Sequence, residues 1–152
     1  MQRIATAAAI ALLATGCATQ MVEQSATDRC AKQGKKAFIA DVQHSGIPLL
    51  IDSASAMVLC VGPDDVSHLP ATFGADVVSA SNLGGVGVFG VVPGSVAEKA
   101  GIKPNDVITE FAGSSVGRAA ELAQAIERTA RGDSVAVKLR RNNKAVAVTA
   151  QF

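Results

Sequence analysis

The chain has 152 residues, 14 Lys and Arg against 13 Asp and Glu for a net charge of +1, and neither Trp nor Tyr. That length suits one domain, or one domain with an appendage. A near-neutral chain with scattered basic residues and no base-stacking aromatics lacks the footprint of a nucleic-acid binder, so no nucleic-acid partner is expected. The hydrophobic fraction of 49% is raised by the first residues, where Arg3 precedes the apolar run Ile4 to Leu13. A run of about ten residues suits the apolar stretch of a signal peptide and falls short of the roughly twenty needed to span a bilayer as a helix.

The run ends in Ala14-Thr15-Gly16-Cys17. The string LLATGCA resembles a bacterial lipobox, with Ala14 where that motif has Leu or Val. The resemblance implies a signal peptide over 1–16 and a lipidated Cys17 as the mature N-terminus, carrying palmitate-type chains. The alternative is an ordinary signal peptide cut nearby, with Cys17 incidental. Acyl chains bury about 0.8 kcal/mol per CH₂ and turn a soluble protein into an anchored one. By the same resemblance, Ala18 rather than Asp after the cysteine implies the periplasmic face of the outer membrane.

With Cys17 assigned to the anchor, Cys30 and Cys60 remain, and two cysteines in an exported chain suggest a disulfide, two free thiols being the alternative. Residues 17–33 are polar without an apolar repeat and read as a tether, with a short helix about Val22 to Cys30. From Lys35 the pattern becomes β: KKAFIADVQ as a strand, HSGIP as a turn, then LLIDSA and AMVLCV as strands, before Gly62-Pro63-Asp64-Asp65 breaks the run. A small β-rich appendage with its linker is therefore expected over 34–70, the linker running from Asp64 to Pro70.

The remainder, 71–152, is better organised. ADVVSA and GVGVFGVV are strands joined through Ser81 to Gly85. Ser95 and Glu98 form a capping box on a short helix, and Gly101 follows its end. IKPNDVITEF gives a turn and a strand. Ala119, Leu122, Ala123 and Ile126 recur at helical spacing, and Gly132 stops that helix. SVAVKLRR and KAVAVTAQF then alternate as two strands joined by Asn142-Asn143, residues that tolerate a tight hairpin.

The segment GVGVFGVVPGSVAEKAGIKPNDVITEFAGSSV resembles the central signature of a PDZ domain, of the kind appended to bacterial HtrA-type periplasmic proteases. The match carries Val92-Pro93-Gly94-Ser95-Val96-Ala97, Ala100 to Ile108 and Gly113, and continues through AAELAQAIE, Gly132 and Arg140. Asn105 replaces the family's glycine before Asp106, and Asn is the next most tolerant residue of a left-handed conformation. The implied fold is α+β: a PDZ-like, partly open β-barrel or sandwich of five to six strands with two helices, preceded by the appendage.

PDZ domains receive a peptide's terminal carboxylate on the backbone N–H groups of an x-Φ-Gly-Φ loop, and the peptide adds as a strand beside a helix. Two loops fit that pattern, Thr72-Phe73-Gly74-Ala75 and Asn82-Leu83-Gly84-Gly85. Only the first leaves room for two strands before the Ser95 helix. The resemblance thus assigns peptide binding to Thr72, Phe73, Gly74, Ala75, Asp76 and Val77. The helix residues Ala119, Leu122, Ala123 and Ile126 form the opposite wall, some of them facing the core. Ala75 to Ala80 is expected as an edge strand with unpaired backbone groups. The competing reading is a collapsed groove with Phe73 as a core residue.

Other chemistry is thin. Asp52-Ser53-Ala54 is similar to the active-site loop of retroviral-type aspartic proteases, but Ala54 replaces the usual glycine and the surrounding β structure is too short for that fold. A bend between strands is the expectation there. His44 and His68 lie in turn-like stretches, and their spacing suits no metal motif. No catalytic residue, metal site or cofactor is expected. The leading expectation is a tethered module that captures C-termini or extended segments of cell-envelope proteins. A non-binding assembly scaffold is the second, and a protease remnant the remote third. The sequence leaves the oligomeric state open.

Overall fold

A computed structural model of the chain describes residues 14–47 and 51–152. Residues 1–13 of the expected signal peptide, and the side chain of Cys17, lie outside the described parts, as do the side chains of 44–53. Helix α1 (Ala14–Ala31) is followed by strands β1 (Lys36–Ile47) and β2 (Ile51–Val61). The tether expected over 17–33 is thus largely helical, the helix extending well before Val22. Its sequence carries four Ala among residues of middling helix propensity, and no Pro interrupts it. Ala26 and Cys30, one turn apart, are buried on one face, and Cys30 is bonded to Cys60 of β2 across a Cα–Cα distance of 5.2 Å. The helix ends where Gly34 takes φ +68° and Lys35 donates to the Cys30 carbonyl.

β1 and β2 form one long antiparallel hairpin from Lys36↔Val61 to Ile47↔Ile51. Two local expectations fail here. His44 to Ile47, expected as a turn, continues β1, and Asp52-Ser53, expected as a bend, lies inside β2 opposite Gly46 and Ser45. The ladder's own hydrogen bonds override the turn propensity of His-Ser-Gly. The hairpin carries a bulge between Ala40 and Gln43, where Asp41 adopts φ +53°.

The rest of the chain builds a seven-stranded antiparallel sheet: β3 (Val66–His68), β4 (Ala75–Ala80), β5 (Gly85–Val91), β6 (Val107–Phe111), β7 (Ser114–Ser115), β8 (Ser134–Arg141) and β9 (Lys144–Gln151). The order is β3-β4-β5-β6-β8-β9, with β7 pairing β6. Helices α2 (Val96–Lys99) and α3 (Ala119–Glu127) complete it. The turns form where the residues permit them. Asn105 takes φ +72°, and Asn142 and Asn143 take +49° and +59° between β8 and β9. Ser95 Oγ accepts from Glu98 N at 3.2 Å, and the Glu98 carboxylate accepts from Gly94 N at 2.7 Å. The capping box closes one residue earlier than its usual form.

The sheet is buried on both faces. One core joins Phe73, Val77, Val86, Ile108, Phe111, Leu122, Ile126 and Leu139. The other joins Val78, Ala80, Leu83 and Val107 to Phe38, Ala40 and Val61 of the hairpin. Neighbours Val77 and Val78 point to opposite sides, which is why ADVVSA does not alternate. Phe38 lies over Gly87, where an added Cβ would stand 2.6 Å from its ring. At the hairpin's bulge, Asp41 accepts from Arg140 Nε at 2.7 Å and from Asn143 N at 2.9 Å. The appendage is therefore welded to the back of the sheet.

Candidate peptide-binding groove

The loop Thr72 to Ala75 is placed by contacts on three sides. Phe73 is fully buried, its ring 6.0 Å from both Phe111 and Phe152. Its carbonyl accepts from Ala97 N of α2 at 3.0 Å, and the Gly74 carbonyl accepts from Val92 N at 2.9 Å. Gly74 has φ +72°, and a Cβ there would meet Ser95 Cβ at 2.4 Å. Glycine is required twice over, for the dihedral and for the close approach. With its carbonyls held, the loop turns two N–H groups the same way. Phe73 N and Gly74 N, which a guest carboxylate needs free, instead both donate to the protein's own Pro70 carbonyl, at 2.8 and 2.9 Å, as the fourth and fifth residues of a tight turn.

β4 leaves this loop with β5 on one edge. The other edge was expected open and is occupied. β3 pairs with it antiparallel, Val66↔Val78, Ser67↔Val77 and His68↔Asp76, and Leu69 N donates to the Ala75 carbonyl at 2.9 Å. The linker expected over 64–70 thus contains a strand, and His68, expected in a turn, has its Nδ1 2.5 Å from Asp76 Oδ1. Residues 66–70 fold back because the reversal at Pro70 to Gly74 brings them alongside backbone groups that need partners. This segment was missed in the sequence because Pro70 and the acidic pair Asp64-Asp65 read as linker; the short Val66-Ser67-His68-Leu69 stretch, apolar at both ends, was its one signal.

The helix wall is assembled from α3. Ala119, Leu122 and Ile126 are buried in the main core, and Ala123 is half-buried against it. The first three therefore face inward more than toward a guest. At its start, Ala119 N donates to Ser79 Oγ of β4 at 3.1 Å. The Glu121 carboxylate accepts from Gly117 N and Arg118 N, at 2.9 and 3.2 Å. The Gly117 N–H holds its pKa below the ordinary glutamate value; desolvation opposes this, and the Arg118 N–H and charge add smaller effects that lower it. At the other end of α3, a cavity of about 390 Å³ opens between Pro70, Thr72, Ile126, Glu127, Arg131 and Phe152, with one charge of each sign in its lining. Arg131 has no acidic partner among the described ion pairs. Of the expected peptide contacts, Phe73, Gly74, Ala75 and Val77 are buried, Asp76 is half-buried and Thr72 is exposed.

A buried aromatic before a left-handed glycine, an adjoining strand and a helix alongside define a sheet domain built around an N–H-lined loop. Residues 71–151 match the PDZ domain family, and the chain belongs to it. Over 77 residues it is 40% identical to the periplasmic pH-dependent serine endoprotease DegQ of Escherichia coli, covering 49% of this chain and 17% of that protein. Over 80 residues it is 33% identical to a probable periplasmic serine endoprotease DegP-like of Hahella chejuensis, covering 51% and 17%. The chain spans about a sixth of the length of these relatives. Among solved structures it resembles the HtrA3 PDZ domain bound to a phage-derived ligand, FGRWV, at 21% identity and TM-score 0.46, covering 55% of this chain and 86% of that one. It also resembles the HtrA-type protease AlgW with decapeptide at 16% identity and TM-score 0.46, covering 73% and 41%. No helix among the described residues is long and apolar enough to cross a membrane.

Proposed function

We propose that the chain is a periplasmic peptide-binding module, tethered to the outer membrane through Cys17, that captures C-termini or extended segments of envelope proteins by strand addition. One observation carries the reading: Phe73 N and Gly74 N converge on a single oxygen, that of Pro70. Two N–H groups aimed at one acceptor suit a carboxylate better than a carbonyl, because charge-assisted hydrogen bonds are about twice as strong as neutral ones. The periplasmic setting is supported by the relatives' compartment and by the Cys30–Cys60 bridge, which suits an oxidising space. The tether is supported by the lipobox-like string alone.

A panel of peptides with free and amidated C-termini tests the site. Binding that falls about tenfold or more on amidation is expected, as loss of a charged partner at two N–H groups is worth about 1.5–3 kcal/mol. The occupied β4 edge favours a second reading, an assembly scaffold whose groove takes no guest, and indifference to amidation would support it over carboxylate capture. For the tether, mass spectrometry of the membrane fraction should find acyl mass on the N-terminal peptide, absent in Cys17→Ser; an unmodified Cys17 would refute anchoring.

A further inference from the structure

The strand that fills the β4 edge has the direction, the register and the buried end of a ligand. β3 runs antiparallel to β4 with its C-terminal end beside the loop, as a peptide must if its terminus is to reach Phe73 N and Gly74 N. Leu69 is the last residue to bond β4, and its side chain is buried in the same core as Phe73, Leu122 and Ile126. It sits where a peptide's final side chain would be swallowed. Pro70 supplies the oxygen that the loop's two N–H groups hold, in the place of a carboxylate. Ser67 and His68 stay exposed and Val66 is half-buried against the second core, so Leu69 is the one fully buried side chain that removal of this segment must expose.

We propose that Val66–Pro70 is a tethered ligand of its own groove, and that the partner in trans is a C-terminus of the same chemistry, bound by displacing it. That chemistry is an aliphatic last residue of leucine size, a side chain before it able to meet the Asp76 carboxylate, and a small polar residue before that. The inference rests on the reading that the loop receives a carboxylate. The six residues Leu69 to Gly74 join strand to strand, and a tether so short holds its end at about millimolar effective concentration. The guest's advantage is its terminal charge, which the Pro70 carbonyl lacks. Affinity is thus reduced by the fraction of time the groove is closed, and opening the tether restores it.

The test uses a fluorescent Asp-Asp-Val-Ser-His-Leu peptide with a free carboxylate, its amidated twin, and the full-length chain in three forms. Leu69–Ala75 is a hydrogen-bonded pair, so the alternation of an antiparallel ladder makes Ser67–Val77 the next bonded pair and His68–Asp76 a non-bonded one with close side chains. Ser67→Pro, at an exposed position, removes a ladder N–H and frees the strand. His68→Cys with Asp76→Cys, oxidised, locks it shut. The expected result is about tenfold or more tighter binding to Ser67→Pro than to the unchanged chain, and loss of binding to the locked form. Should Ser67→Pro fail to fold, binding to the unchanged chain that is lost on locking and regained on reduction supports displacement by itself. Equal binding to unchanged and locked chains that still depends on the free carboxylate overturns the tethered ligand and leaves carboxylate capture standing. If no form binds the probe, both fall.

Discussion

Two arginines next to each other in β8 do different work. Arg141 holds Asp106, fully buried, through two hydrogen bonds of 2.6 Å, and also reaches the Gly101 carbonyl at 2.8 Å. The Asp106 carboxylate raises the Arg141 pKa further above its already high ordinary value, so the arginine keeps its charge throughout the ordinary pH range. The pair pins the turn that follows α2 to the far end of the sheet. Arg140 points the other way, to Asp41 of the appendage and to the Leu83 carbonyl at 2.8 Å. Asp41 is 6% exposed and stands in a left-handed bulge, so its compensation for burial is this set of partners. Asp41→Ala should therefore cost about 2–3 kcal/mol, less than the 3–5 of a fully buried broken pair because Arg140 keeps part of its surface in water. Urea denaturation checks it; a loss under about 0.5 kcal/mol would mean that the bulge does not clamp the sheet.

Among the elements, the N-terminal helix depends most on its bridge. Over residues 20–31, whose side chains are described, α1 buries little beyond Ala26 and Cys30, and an exposed helix of modest propensity is marginal in water without tertiary support. The bridge closes a separation of 30 residues, worth about 3–4 kcal/mol in the chain-entropy account. Replacing Cys30 and Cys60 by Ser should lower stability by about that amount and leave amides of 20–31 exchanging far faster than those of β4 to β6. Unchanged protection in the helix would show that packing alone holds it. The same logic separates the strands: β8 and β9, paired along their whole length through Asn142-Asn143, should be among the last to open, whereas three-residue β3 should be among the first.

The whole molecule is a sheet clad on both faces, and the second cladding comes from outside the family's boundaries. A chain begun at residue 71 would keep every residue of the family match and lose Phe38, Ala40, Val61 and β3 together. Val78, Ala80, Leu83 and Val107 would then face water. Such a chain should be less stable by about 3 kcal/mol or more, since loss of Phe38 alone resembles a buried Phe→Ala change, and it should bind an apolar dye that the full chain excludes. Equal stability in urea and no dye binding would show the appendage to be dispensable cladding.

Much of this was legible in the residues alone: the order of the main elements from Ala75 onward, the short helix between Ser95 and Gly101, the hairpin at Asn142-Asn143 and the cysteine pair. Most of these depend on groups within a few residues: a cap, a left-handed glycine or asparagine, a side-chain period. It took the folded chain to show that His44 to Ile47 is strand, that the appendage covers the back of the sheet, and that Val66 to Leu69 completes β4. Those outcomes are settled by backbone hydrogen bonds and by faces meeting across long separations, and backbone groups are nearly the same at every residue. A pattern of side chains can say that an edge exists, but the chain must fold before anything says which segment reaches it first.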